Sequence, residues 1–351
     1  MRILFLMVLA FGALNVQGQA SKNFYEHLTL EKQDSILEIV DKLPVGTEIS
    51  VAVISDGEPI FLGLRKKSDT ITSVENYKSA FEIGSITKVF TATLLASFVN
   101  EGVIEIDNQV IDYLKYETNN KVPISFKQLS NHTSGLPPLP ENFNNWQKDY
   151  RNPYKYYEEE ALKEYFRDSI NLKKEDQNKY AYSNLGVGIL GNALSKVKNE
   201  KLEILYQNTI FSVLGMKNTT LDRNKLKTNL VDGNGALNWD LGVLKGAGAL
   251  ISTTEDLSKF AIAQFDPTNT AMKMTREKTF DIAKDFAVGL GWHISKIEGK
   301  NLIWHGGGTG GYRSFIALDV LKKNGIIVLS NVSGLSANSK SIEEIAFKLL
   351  P

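Results

Sequence analysis

Apolar positions change their period more than once along this chain. Residues 30–43 (LEKQDSILEIVDKL) set Leu30, Ile36, Ile39, Val40 and Leu43 at helical spacing, and Pro44-Val45-Gly46 ends the run. From Glu48 to Leu64 the pattern becomes that of strands: ISVAVIS and PIFLGL, turned at Asp56-Gly57, predict a hairpin. A second helix opens at Ser85. Val89, Phe90, Leu94, Leu95, Phe98 and Val99 put apolar side chains on nearly every face, so this helix belongs in a core, and Gly102 stops it. Residues 100–245 carry helical stretches near 124–131, 156–168, 184–198 and 201–214. The loop over 137–155 is rich in Pro, Asn and aromatic residues, and such loops often border binding clefts. Thr253 with Asp256 has capping-box spacing and starts another helix. Strands follow at 286–297, 301–305, 312–319 and 325–331, with a hairpin turn at Asn324-Gly325. A closing helix over 339–350 buries Ile342, Ile345, Ala346 and Leu349.

Strands thus lie at both ends of the chain and helices fill the middle. That order predicts an α+β fold: one antiparallel sheet built from both chain ends, flanked by the terminal helices, with a mainly helical inserted region. The α/β part is expected at about 21–80 and 246–351 and the helical part at about 81–245, with a cleft at their junction.

Residues 1–20 stand apart from this domain. Met1-Arg2 is a short positive start, Ile3 to Leu14 is apolar but too short to span a bilayer, and Gly18-Gln19-Ala20 supplies small residues for a peptidase. The expectation is a signal peptide removed after about Ala20, and a mature enzyme of 21–351 that is periplasmic or secreted. The chain has no cysteine, which excludes disulfides, thiolate chemistry and cysteine metal sites. Its 40 basic and 40 acidic residues leave no positive excess for nucleic acid. No later segment is apolar enough to cross a membrane.

The chemistry concentrates in three places. In FEIGSITKVFTA, Ser85 and Lys88 share one face of a helical turn. A serine hydroxyl needs a nearby base, and a lysine held in an apolar wall can lose its proton and become one. Gly84 lets the chain bend sharply into that turn. Ser85 could equally cap an ordinary core helix, and a second Ser-x-x-Lys, Ser195 to Lys198, shows how little the spacing means alone. In YAYSNLGVGIL, Tyr182 is a phenol that could accept a proton near a lysine, and Asn184 can bind a substrate amide or cap the following helix. In WHGGGTGGYRSF, five glycines occupy residues 306–311, a composition that a strand carries where something approaches its backbone closely. His305 leads that strand as a charged anchor or proton shuttle, and Gly307 and Gly308 offer backbone N–H groups to a ligand. His27, His132 and His293 are scattered, without metal-binding spacing, and no phosphate loop or Gly-x-Ser-x-Gly elbow occurs. No metal or cofactor is expected, and NHTSGLP over 131–137 reads as a structural loop.

In this order, Ser85-Ile86-Thr87-Lys88, Tyr182-Ser183-Asn184 and His305-Gly306-Gly307 resemble the serine β-lactamase and penicillin-binding protein superfamily. The chain looks most like class C β-lactamases and the related D-Ala-D-Ala carboxypeptidases, from about residue 45 to the C-terminus. The resemblance implies a β-lactamase/transpeptidase-like fold and an acyl-enzyme at Ser85. Lys88 and Tyr182 would move the proton, in an order the family leaves open. Asn184 would hold the substrate side-chain amide, the N–H groups of Ser85 and Gly308 would form the oxyanion hole, and water would complete turnover. Class C enzymes carry Lys-Thr-Gly where this chain has His305-Gly306-Gly307, which weakens the positive charge available to a substrate carboxylate. The expected substrates are β-lactams or D-amino-acid peptide amides. The alternatives are a carboxylesterase of the same family and a non-catalytic binding module.

Overall fold

Two stretches of alternating apolar residues, far apart in sequence, close into one sheet. The computed structural model describes residues 28–144, 148–297 and 299–351; the expected signal segment and His27 lie outside them. The strands are β1 (Glu48–Ser55), β2 (Glu58–Lys67), β3 (Thr70–Ser73), β4 (Phe81–Glu82), β5 (Ile251–Ser252), β6 (Phe280–Ala283), β7 (Phe286–Val288), β8 (His293–Ile297), β9 (Lys300–Gly308), β10 (Arg313–Asp319) and β11 (Asn324–Ser330). Nine of them form an antiparallel sheet in the order β3-β2-β1-β11-β10-β9-β8-β7-β6, so the first and last strands of the chain meet at β1 and β11. β4 and β5 pair separately. The Asp56-Gly57 turn is as predicted, with both residues at positive φ.

Helices cover both faces of the sheet, which is why β1, β10 and β11 are buried along almost their whole length. On one face Val51, Phe315 and Val328 meet α1 (Leu30–Asp41) and the C-terminal helix Lys340–Leu349 through Ile36, Val40, Ile342 and Ile345. On the other, Ala52, Ile316 and Leu329 meet α2 (Thr87–Asn100) and the helical region. α2 buries Val89, Phe90, Leu94, Leu95 and Phe98 at 1% exposure or less. Each such side chain contributes about 2 kcal/mol of transfer free energy, so the element carrying Ser85 and Lys88 is firmly anchored. Gly102 ends it in the left-handed region, as expected.

The helices of the middle region are α3 (Asn184–Lys198), which matches its predicted bounds, and several shorter ones. The helix predicted over 156–168 runs Glu159–Glu164 and ends in a π-helical turn at Tyr165–Ser169, and the one predicted over 201–214 is interrupted by a π-helical turn at Gln207–Phe211. Thr253 caps α4 (Thr254–Ala263) by accepting from Asp256 N at 3.1 Å. The Asp256 carboxylate serves Asn218, Thr219 and Lys259 instead of closing a reciprocal box.

Two expectations need correction. The predicted strand 286–297 is two strands, β7 and β8, because Gly289 and Gly291 fold the chain tightly onto its neighbours; a Cβ at Gly291 would stand 2.8 Å from Lys88 O. Asn324-Gly325 is not the hairpin turn. These residues begin β11, opposite Asp319 and Leu318, and the turn is made by 320–323 with Lys323 at φ 52°.

Candidate active site

Ser85 stands on a 3-10 turn, Gly84–Ile86, that leads into α2. It does not cap the helix: the N-cap is Ile86 and makes no side-chain bond, so the hydroxyl is left for chemistry. Gly84 has φ +48°, and a Cβ there would lie 2.6 Å from Gly308 N. A Cβ at Gly307 would collide with Ile83 O and Ser314 Oγ. The glycines of β9 are therefore required because the serine turn lies directly on the strand's backbone.

Lys88 is 1% exposed, and burial holds its amine well below the usual lysine range. Its Nζ lies 3.0 Å from Ser85 Oγ, 2.7 Å from Asn184 Oδ1 and 2.6 Å from Ala247 O. A neutral amine has two hydrogens and one lone pair. In that form the two oxygen acceptors would take the hydrogens and leave the lone pair for the Ser85 O–H, whereas an ammonium would donate to all three oxygens. The Ala247 carbonyl is itself held in place. Thr91, one turn beyond Lys88, donates to Gly246 O at 2.6 Å and meets the Tyr206 hydroxyl at 2.7 Å, with both side chains fully buried.

Tyr182 enters from the segment before α3. Its ring centroid is 4.9 Å from Lys88 Nζ. Burial pushes its pKa well above the ordinary phenol value, against the opposing pull of a hydrogen bond with Ser85. A phenol held this way keeps its proton in the free protein and can donate it. The helix cap belongs to Ser183, whose Oγ accepts from Gly186 N at 2.9 Å. That leaves Asn184 free to hold Lys88, and its amide nitrogen faces Tyr154 Oη at 3.5 Å.

β8 pairs β9 only as far as Trp304, so residues 305–308 keep one unpaired edge toward the serine turn. His305 is 2% exposed. Its Nδ1 donates to Gly306 O at 2.7 Å, and its Nε2 is buried without a partner. Burial, with His293 and Lys88 nearby, holds its pKa well below the usual imidazole range, which favours the neutral ring over a charged one. Sequence reasoning missed two neighbours. His293 stacks on His305 at 5.1 Å and bonds Tyr180 Oη at 2.8 Å. His132, inside the loop read as structural, packs 4.5 Å from the Tyr182 ring and accepts from Ser183 N at 3.2 Å. Nothing in their spacing signals this convergence; only their contacts across three loops do. Among the described residues, no group of three His, Cys, Asp or Glu is placed to hold a metal ion. A separate cleft of about 770 Å³, lined by Asn192, Glu203, Asp222 and Asp240 among others, contains none of these residues.

The arrangement can activate a hydroxyl, supply a proton and present backbone N–H groups beside it. The family model described as Beta-lactamase matches residues 42–347. The D-alanyl-D-alanine-carboxypeptidase/endopeptidase AmpH of Escherichia coli is 25% identical over 316 residues, covering 83% of this chain and 80% of that protein. The fold matches a β-lactamase/D-alanine carboxypeptidase from Yersinia pestis, solved with citrate, at a TM-score of 0.72 and 21% identity, over 90% of this chain and 98% of the other. It also matches a class C β-lactamase from Rhodobacter sphaeroides at 0.71 and 19% identity, over 92% and 98%. No helix among the described residues is long and apolar enough to cross a membrane.

Proposed function

Because the chain belongs to the β-lactamase family, we propose that it is a serine hydrolase acylated at Ser85 by β-lactams or D-amino-acid peptide amides. The observation that carries this reading is the buried Lys88 amine, 3.0 Å from Ser85 Oγ and held by Asn184 Oδ1 and Ala247 O. Lys88 accepts the hydroxyl proton as Ser85 Oγ bonds to the substrate carbonyl carbon. The resulting ammonium sits over the Tyr182 ring, where cation–π attraction and two fixed oxygens stabilise it. The N–H groups of Ser85 and Gly308 receive the oxyanion. Tyr182 gives its proton to the leaving nitrogen as the carbon–nitrogen bond breaks, and Lys88 returns a proton to the phenolate. Water then repeats the sequence and releases the acid.

A labelled penicillin should attach to wild-type protein and not to Ser85→Ala. Turnover that survives Ser85→Ala would end the proposal. A second reading, a carboxylesterase, is favoured by a buried histidine at 305, its pKa held low, where a fixed cation would serve a substrate carboxylate. Rates on a p-nitrophenyl ester, a chromogenic cephalosporin and a D-Ala-D-Ala peptide separate the two readings, and labelling without turnover of any would point to a binding module. We also propose export through residues 1–20, to be checked by finding the N-terminus of the mature protein after about Ala20.

A further inference from the structure

Arg313 opens β10 directly opposite Gly308. Its guanidinium lies over the face of β9 that the glycines leave bare. A Cβ at Gly306 would stand 3.2 Å from Nη2, and one at Gly308 3.5 Å from Nη1. Nη1 donates to Gly307 O at 3.3 Å, Nη2 pairs with Glu343 Oε1 on the C-terminal helix, and Nε is buried without a partner. The pair is not sealed off: the side chains are 21% and 31% exposed. Arg313 also acts electrostatically on Tyr182, opposing in small part the rise that burial causes.

Residues 305–308 supply no fixed positive charge: three are glycine, and burial holds the His305 pKa well below the usual imidazole range. An anionic group on a substrate lying along this edge would turn to Arg313, and Glu343 already occupies that guanidinium. We propose that Glu343 sets the substrate class of the Ser85 site: by holding Arg313 in an ion pair it removes net charge beside Gly306 and selects substrates without a carboxylate next to the scissile bond. A free guanidinium would offer a carboxylate two parallel donors, and an incoming carboxylate must otherwise displace Glu343 or be repelled by it. This inference rests on acylation at Ser85 and deepens the carboxylesterase reading of that site, because β-lactams and D-Ala-D-Ala peptides carry such a carboxylate.

The test uses the phenyl ester and the m-carboxyphenyl ester of one N-acylglycine, which differ by a single carboxylate. Wild type should favour the neutral ester. Glu343→Gln should raise the kcat/KM ratio of anionic to neutral ester about tenfold, chiefly through KM, as expected for one recovered charge-assisted contact. Glu343→Asp should stay near wild type, and adding Arg313→Gln to Glu343→Gln should cancel the gain. A ratio within about twofold of wild type in a Glu343→Gln protein with a normal melting curve overturns the inference while leaving the acyl-enzyme reading intact. A wild type that prefers the carboxyphenyl ester also overturns it. If neither ester is turned over and Ser85 takes no label, both readings fall together.

Discussion

Asn184→Asp changes one atom type at the point where the base is held, and so isolates charge from shape. Asn184 Oδ1 lies 2.7 Å from Lys88 Nζ. A carboxylate at that distance would attract an ammonium by roughly 6 kcal/mol at an effective dielectric of 20. Fully realised, that is roughly 4 pK units in favour of protonated Lys88. Asn184 is only half-buried, so solvent screens part of it, and we expect a rise of about 2 units. Burial depresses Lys88 in the wild type, so kcat/KM should rise with pH along an acid limb that lies below the ordinary lysine range. In Asn184→Asp the acid limb should move up by those ~2 units, so that at a pH on the wild-type acid limb activity falls by up to about a hundredfold and is recovered at higher pH. The assay is kcat/KM against pH on one chromogenic substrate, with circular dichroism to confirm the fold. An acid limb that stays in place would show that Lys88 is not the group whose deprotonation starts the reaction.

Three further outcomes follow from the same geometry. Tyr206→Phe removes the hydroxyl 2.7 Å from Thr91 and loosens the Gly246-Ala247 shelf; we expect about 1–2 kcal/mol less stability and at least tenfold lower kcat at unchanged KM, read by urea melts and steady-state kinetics. Gly84→Ala places a methyl 2.6 Å from Gly308 N at positive φ, so it should cost about 3 kcal/mol or more and abolish acylation, whereas Gly102→Ala, with open space around it, should cost about 1 kcal/mol and spare activity. His293 is lowered to about 4 by burial and by Lys88, so between about pH 4 and 6.5 the unfolded chain binds a proton that the folded chain does not. His293 should thus add a rise of stability with pH through that window, with a loss of about 3 kcal/mol on acidification across it; because burial depresses His132 and His305 as well, His293→Gln should lessen the slope in urea titrations without abolishing it, and an unchanged slope would refute the assignment.

The fold was legible because its strands are written in short apolar runs at the two ends of the chain, and because α2 is apolar on every side. The serine turn was legible for the same reason: Gly84, Ser85 and Lys88 lie within one helical turn, where local spacing implies contact. Residues that act across loops were not. His132 and His293 reach Tyr182 from segments 161 positions apart, and periodicity says nothing about such meetings. The failure at Asn324-Gly325 has a local cause. Asn324 is occupied as a strand residue, accepting from Asp56 N at 3.0 Å, and Gly325 is pressed against Leu318, so the pair serves the neighbouring strands while Lys323 makes the bend.

His305→Lys tests the depth at which charge can enter this site. The family comparison in the sequence suggests that a lysine at 305 would restore a carboxylate anchor. The local packing argues the reverse. Position 305 is 2% exposed, its ring lies against His293 and Tyr182, and the Lys88 amine acts on it through low-dielectric surroundings. A second amine there would lose hydration and repel any proton on Lys88, so its folded pKa would fall below the ordinary lysine value. Below about pH 10 the unfolded chain would then hold a proton that the folded chain resists, so the variant is least stable at low pH and recovers as pH rises. We expect a loss of roughly 2–4 kcal/mol at pH 7 and no gain in the carboxyphenyl-to-phenyl ester ratio. Urea melts at pH 7 and 10, paired with the ester assay, decide it. A stable His305→Lys protein with improved turnover of the anionic ester would mean that the groove beside Gly306 is wet enough to hold charge from the strand itself, and that Arg313 and Glu343 are not what governs it.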